Sequence, residues 1–349
     1  MAQIEKLELN DGDRLLISRT DRLGDLVLAL PFVETIKRRY PQCSIEVFAS
    51  LYASPILENN PNVDRIVRVQ NDMLRKDNLY KKDLLHKIKR GNYKAVVVLF
   101  PERRISQLFH KANIPIRIGT AGRFHSMFFN VHLLHSRRSN RKHESAYNLE
   151  FLSFFKDGPT VTKPKVYLLE KELNNARRIL SEAKVNFPFV VLHPGSGGSA
   201  ESWPMDQFIE LYGALNQAGI NVVISGSEDE GEACDKIAKA KGISLKKITG
   251  RTDLRTLAAV LSLSNVVVSN STGPLHLAAS LGTQVVGLYP SKKIMSPRRW
   301  GPLGDSDIVM LPETAECRCP DKRCTCMETI SIESVFKAIT SLHLQEQGR

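Results

Sequence analysis

Short apolar runs alternate along this chain with amphipathic stretches long enough for helices, the pattern that α/β layers on parallel sheets require. In the first half, residues 15–18, 44–49 and 95–100 read as strands, with shorter candidates at 65–68 and 116–118. A polar turn over 19–25 leads into a helix predicted over 26–40, which Pro41 stops. The pattern restarts at 189–193, passes through a Gly-rich turn at 194–199 and continues as a helix over 205–218. Further strands are predicted at 221–225, 247–249, 266–268 and 284–289. Between the halves, residues 156–164 hold one Gly and two Pro and read as a linker. The expected division is therefore 1–160, 165–330, and a helix and tail at 331–349. No repeat of solenoid period is visible.

The segment Ser269-Asn270-Ser271-Thr272-Gly273-Pro274-Leu275-His276-Leu277-Ala278 joins a β-branched strand to an apolar helix entered through Pro274. Thr272 or Ser271 is the expected N-cap. Such a helix points unpaired N–H groups and the positive end of its dipole at the turn, and Gly273 lets a ligand reach the backbone, so a phosphate is the natural guest. The plainer alternative is an ordinary strand-to-helix connection.

Other turns lie at 19–25, 195–202 and 225–230, all at carboxyl ends of predicted strands. Only the first places a carboxylate beside Gly at a helix entrance, in Arg22-Leu23-Gly24-Asp25. Asp25 is the candidate base, against the simpler reading of dipole compensation. Gly195, Gly197 and Gly198 suit backbone contact with phosphate oxygens, but the Gly-Lys-Ser/Thr ending of a triphosphate loop is missing. His193 reads as a satisfied strand-end side chain and His276 as a ligand contact. Among Glu228, Asp229 and Glu230, one carboxylate is placed to accept from ribose hydroxyls, with simple solvated acidity as the alternative.

At 349 residues with 42% hydrophobic and 25% charged residues, the composition is that of a globular protein and excludes disorder. The N-terminal residues lack a secretory pattern and no run reaches a membrane span, so a cytoplasmic location is expected. The charge is uneven. Residues 1–160 hold 27 Lys and Arg against 17 Asp and Glu, a net +10, and the rest carries only +2. Each basic cluster alone reads as a solvated face, but the asymmetry points to an anionic partner for the first half, without the basic-aromatic interleaving of a nucleic-acid module. Four of six cysteines fall at 317, 319, 324 and 326. Zinc is one reading, but pairs one residue apart strain tetrahedral geometry; a Cys-rich surface loop is the other.

Three segments taken together resemble glycosyltransferase family 9, the lipopolysaccharide heptosyltransferases and their relatives: Arg22-Leu23-Gly24-Asp25 through Pro31, His193-Pro194-Gly195-Ser196-Gly197-Gly198 through Trp203-Pro204, and Ser271-Thr272-Gly273-Pro274-Leu275-His276 through Ala279. The resemblance implies a GT-B fold, two Rossmann-like domains whose parallel sheets face a central cleft. The first would bind the acceptor and the second the nucleotide sugar. It implies inverting transfer of heptose or a related sugar from ADP-heptose to the lipopolysaccharide inner core, with Asp25 as general base and no metal or other cofactor. Expected donor contacts are Ser196, Gly197, Glu230, Thr249, Ser271, Thr272, Gly273, Pro274 and His276. Expected acceptor contacts are Arg22, Gly24, Arg103 and Arg104. The acceptor would be an anionic lipid-linked saccharide at the inner membrane surface.

Two positions depart from the family pattern. Glu201 stands where a basic residue is common, and Ser271 where Asp is frequent. These leave the donor sugar open and leave as one alternative a non-catalytic partner in envelope assembly; the other, a sugar-nucleotide epimerase on the same fold, needs further acid and base groups that the sequence does not clearly show.

Overall fold

The computed structural model describes residues 6–122, 124–198, 200–313 and 325–347. Cys317, Cys319 and Cys324 lie outside the described residues; Cys326 is buried in the core of the second unit. The chain divides into two compact units, Met1–Tyr167 and Leu168–Arg349, so the boundary falls just past the Pro-containing stretch at 156–164.

In the first unit β1 (Arg14–Arg19) leads through α1 (Leu23–Val27) and α2 (Leu30–Arg39) to β2 (Ser44–Ser50) and β3 (Arg65–Val69). Then follow α3 (Asn71–Lys76), α4 (Asn78–Arg90), β4 (Ala95–Val98), α5 (Arg103–Lys111), β5 (Ile116–Thr120), β6 (Val131–Leu133) and α6 (Glu144–Leu149). The single helix expected over 26–40 is two helices. Pro31 within a continuous helix would remove a hydrogen bond and clash with the preceding turn, so the chain restarts at Leu30 with Pro31 in the new first turn. The first helix begins at Leu23, which puts Asp25 inside its opening turn.

The second unit runs α7 (Glu170–Glu182), β7 (Phe189–His193), α8 (Met205–Gln217), β8 (Asn221–Ile224), α9 (Glu228–Ala240), α10 (Leu254–Leu263), β9 (Val266–Asn270), α11 (Gly273–Ser280), β10 (Gln284–Leu288), α12 (Pro297–Trp300), β11 (Ile308–Met310) and α13 (Ile332–Gln347). The strand expected at 247–249 is only an isolated bridge between Ile224 and Lys247. The C-terminal helix is no appendage: Val335, Ala338, Ile339 and Leu342 join the core formed by α8 and the sheet.

Both sheets are parallel, which explains why their central strands read as unbroken apolar runs. The first has the order β3-β2-β1-β4-β5-β6, the second β11-β10-β9-β7-β8. In the first, the chain winds from β1 out to β3 and then crosses to the other side of β1 for β4. In the second it winds from β7 to β8 and crosses to β9. Each sheet thus has a switch point, β1/β4 and β7/β9, where two loops diverge and leave a crevice at the strands' carboxyl ends. Among the described residues, no helix is long and apolar enough to cross a membrane.

Candidate active site

The first switch point is built on a buried arginine. β1 ends at Arg19, only 1% exposed, and its guanidinium reaches three carboxylates. Nη2 donates to Asp25 Oδ1 at 2.6 Å, Nε to Asp21 Oδ1 at 2.7 Å, and Nη1 to Glu144 Oε1 at 3.0 Å and Asn148 Oδ1 at 2.9 Å. Arg137 reaches the same two residues, donating from Nε to Glu144 at 2.9 Å and from Nη2 to Asn148 at 3.1 Å. The Phe100 ring covers Arg19, its centroid 5.4 Å from the guanidinium carbon.

In these contacts two guanidiniums face three carboxylates. Burial pushes the Asp25 carboxyl up to about 7, and the neighbouring Asp21 and Glu144 add to this against the opposing pull of Arg19. Arg19 itself pays for burial, but its three anions outweigh that and hold it more firmly protonated than an ordinary arginine. The opposite-looking shifts agree once the count is made: the cation is well served and the surplus proton affinity falls on Asp25. Asp25 remains 12% exposed at the helix start, so its carboxylate can meet a ligand.

Arg22 is the exposed N-cap of α1, and Gly24 is buried within that helix. Arg103 and Arg104 are exposed in the first turn of α5, on the loop leaving β4, the strand beside β1. Two cations at a helix N-terminus oppose the dipole, so helix stability does not explain them.

The second switch point gathers the Gly-rich turn after β7 and the turn after β9. Thr272 is the N-cap of α11, but its hydroxyl donates back to the Asn270 carbonyl at 3.2 Å and makes no side-chain cap. Pro274 has no N–H to satisfy. Asn270, fully buried, ties the two turns together: Oδ1 accepts from the Trp203 backbone N–H and Nδ2 donates to the Pro194 carbonyl, both at 2.8 Å. Gly197 and Gly198 adopt φ of +50° and +68°, and a Cβ on either would meet nothing within 4 Å, so this backbone stands open beside Ser196. Ser271 donates its backbone N–H to Leu288, and its side chain hydrogen-bonds Tyr289.

Glu230 takes a structural part alongside its expected one. Its Oε2 accepts from the Ser227 N–H at 2.8 Å in a capping box on α9, while its carboxylate packs on Gly195, where a Cβ would lie 2.0 Å from Oε1. Thr249 packs on Gly231 in α9. His276 is buried in α11, 4% exposed. His193 is the satisfied strand-end residue that its position suggested: Nδ1 lies 2.9 Å from Ser225 Oγ, and burial lowers its pKa so that it stays neutral.

Three residues of this geometry were given no role from the sequence. Arg19 and Asn270 each end an apolar strand with a polar group, which is a signal, though one shared by many strand ends. Lys292 could not be found that way. It follows β10 and its Nζ meets Glu201 Oε1 at 2.5 Å, which supplies a cation beside the position where the charge is reversed.

Residues 82–330 match the family described as glycosyltransferase family 9 (heptosyltransferase). A Haemophilus influenzae protein named as a glycosyltransferase is 27% identical over 305 residues, covering 84% of this chain and 87% of its own. Lipopolysaccharide heptosyltransferase 2 of Salmonella typhimurium is 26% identical over 298 residues, 81% of this chain and 85% of its own. The solved Escherichia coli ADP-heptose lps heptosyltransferase II superposes with a TM-score of 0.78 at 22% identity, over 96% of this chain and 99% of that one.

Proposed function

The chain belongs to glycosyltransferase family 9, a GT-B glycosyltransferase, and from that premise we propose that it transfers heptose from ADP-heptose to the inner core of lipopolysaccharide with inversion. The donor and acceptor are those named for its relatives. The observation that carries the reading is the pairing of sites with switch points: a proton-accepting carboxylate at β1/β4 in one unit, and an uncapped helix start with open glycines at β7/β9 in the other.

In this reading the diphosphate lies on the N-terminus of α11 and the open backbone of Gly197 and Gly198, with Ser196, Thr272 and Lys292 beside it. Glu230 and Thr249 reach the nucleoside, and Ser271, Gly273, Pro274 and His276 shape the turn under the sugar. Arg22, Gly24, Arg103 and Arg104 receive the phosphorylated acceptor. Asp25 takes the proton of the acceptor hydroxyl as its oxygen attacks the anomeric carbon from the face opposite the diphosphate. The anomeric C–O bond breaks, and ADP leaves with the electron pair. Negative charge grows on the diphosphate oxygens, where fixed N–H dipoles and Lys292 stabilise it without rearranging. The matched family span starts at residue 82, so Asp25 rests on its own geometry.

The test is a panel of ADP-, GDP- and UDP-sugars offered to a deep-truncated lipopolysaccharide core, with wild type beside Asp25→Ala. Transfer from ADP-heptose, falling by about 10²-fold to 10⁴-fold in the variant while ADP still binds, is the expected result. Epimerised donor in the absence of acceptor would establish the epimerase instead. No binding and no turnover with any donor would leave the assembly partner.

A further inference from the structure

Arg137, which shares Glu144 and Asn148 with Arg19, is itself held from behind. Its Nη1 donates at 3.1 Å to Nε2 of His135, and the His135 Nδ1 meets Glu150 Oε2. A guanidinium has no lone pair to offer, so Nε2 is the acceptor and the ring proton sits on Nδ1, which donates it to the carboxylate. Lys142 takes the other oxygen of Glu150. The imidazole packs edge to face with Tyr147 and Phe151, at 5.2 and 5.9 Å between ring centroids, and its side chain is 8% exposed. Burial and the neighbouring Arg137 lower its pKa against the pull of Glu150 and Glu144, so the ring is neutral at neutral pH.

This neutral ring separates two opposite charges. Without it, the Glu150 carboxylate loses a donor and the Arg137 Nη1 loses an acceptor, and the two are drawn together. An Arg137 pulled toward Glu150 gives up part of its hold on the fully buried Glu144, and Arg19 carries more of that charge. Because Arg19 also serves Asp21 and Asp25, its grip on Asp25 weakens. A second connection runs through Asn148. Its Oδ1 accepts from both guanidiniums, and its Nδ2 donates at 3.1 Å to the carbonyl of Leu28, the C-cap of the helix that carries Asp25.

We propose that His135 is a positioning residue for Asp25: as the Nδ1–H tautomer it accepts from Arg137, keeps that guanidinium on Glu144 and Asn148 instead of on Glu150, and so leaves Arg19 to Asp25. Three side chains, Arg137, Glu144 and Arg19, stand between it and Asp25, and it acts through them. The ring uses its two nitrogens in opposite senses, donor to an anion and acceptor from a cation, which an apolar residue in the same buried place cannot do. The groups that face it are Arg137 on its own segment, Glu144 and Tyr147 on α6, and Glu150 and Phe151 in the turn Glu150–Phe154, with Lys142 beyond Glu150. The inference deepens the proposed reaction, and it rests on Asp25 being the base only for its effect on rate.

The experiment follows the Asp25 carboxyl by carbon-13 NMR in full-length protein labelled at aspartate, with the signal assigned by its loss in Asp25→Asn, beside the pH dependence of kcat/KM. In His135→Leu, which keeps an apolar side chain against Tyr147 and Phe151, the carboxyl should titrate about half a pH unit or more above its wild-type position, because Glu144 is less well neutralised. The acid limb of kcat/KM should move up with it, a loss of about threefold on that limb. His135→Gln, whose amide oxygen can stand near the place of Nε2 and accept from Arg137, should restore most of the difference. Glu150→Gln added to His135→Leu removes the competing anion and should also bring the carboxyl back. Arg137→Met leaves the ring in place and should raise the carboxyl at least as far, which keeps the test open where the ring's own packing is needed for folding. The titration uses no sugar transfer: a carboxyl that moves while the rate limb stays put upholds the positioning and removes Asp25 as the base. A carboxyl that titrates in folded His135→Leu or Arg137→Met as it does in wild type, or a shift that neither His135→Gln nor the loss of Glu150 reverses, would overturn the proposal.

Discussion

Asp25 combines two demands that oppose each other. In its proposed role as base it must be ionised and exposed enough to touch a hydroxyl, yet its own charge is the third anion beside Arg19 and Arg137. Its carboxyl is held up near 7, first by burial and then by Asp21. A reaction that needs the carboxylate should therefore gain kcat/KM as pH rises toward 7 and level off above it. Asp21→Asn removes an anion that disfavours ionisation, so the acid limb should move to lower pH; a limb that stays put or rises sinks the assignment. The same shift has a stability consequence of definite sign. A carboxyl whose folded pKa is raised favours the fold below its ordinary value near 4 and loses that contribution as pH rises through 7. Asp25→Asn should then raise the melting temperature at pH 8 and give no gain at pH 4, while lowering turnover at pH 8 by about 10²-fold to 10⁴-fold.

At the scale of elements, an ion pair joins two loops that the sheet keeps apart. β9 lies between β7 and β10, so Glu201, after β7, and Lys292, after β10, meet across the turn that opens α11. An arriving diphosphate offers Lys292 another anion, and Glu201 competes with it. Lys292→Met should weaken ADP binding by about tenfold or more, the worth of one charge-assisted hydrogen bond, and Glu201→Gln should leave it equal or tighter. Calorimetric titration that shows no change in either variant would reduce the pair to a structural tie. Such a pair is invisible in the sequence, since nothing local links residues 91 positions apart. The strands beneath it were legible, because Phe189-Val190-Val191-Leu192 and Val266-Val267-Val268 are buried on both faces and need no alternation. So were the turns with Gly and Pro at fixed backbone roles. Edge strands β6 and β11 were not, being three residues long and only partly buried, and residues 247–249 looked like a strand because Ile248 is buried without a ladder. Asn270 failed for the same reason as Lys292, its partners Trp203 and Pro194 being distant in the chain, and so in part did Arg19, which joins the nearby Asp21 and Asp25 to the distant Glu144 and Asn148.

For the molecule as a whole, the proposed function divides the chemistry between the two units' switch points, and that division can be measured without turnover. A ligand that binds only the folded form of a unit slows exchange of those amides that exchange through opening of that unit. At a concentration 100 times its dissociation constant it adds about 2.7 kcal/mol, a slowing of about a hundredfold. ADP should produce this in β7 and β9 and in the turns at 194–203 and 271–276, and leave β1, β4 and the α1 turn largely as they were. A truncated phosphorylated core saccharide should do the reverse, with its largest effect near Arg22 and Arg103. The assignment follows from where the charges lie. The open backbone N–H groups are in the second unit, while the net +10 of residues 1–160 and the paired arginines at the start of α5 are in the first. ADP protection confined to the first unit would place the donor there and remove the reason for reading α11 as a diphosphate site, whatever sugar is finally transferred.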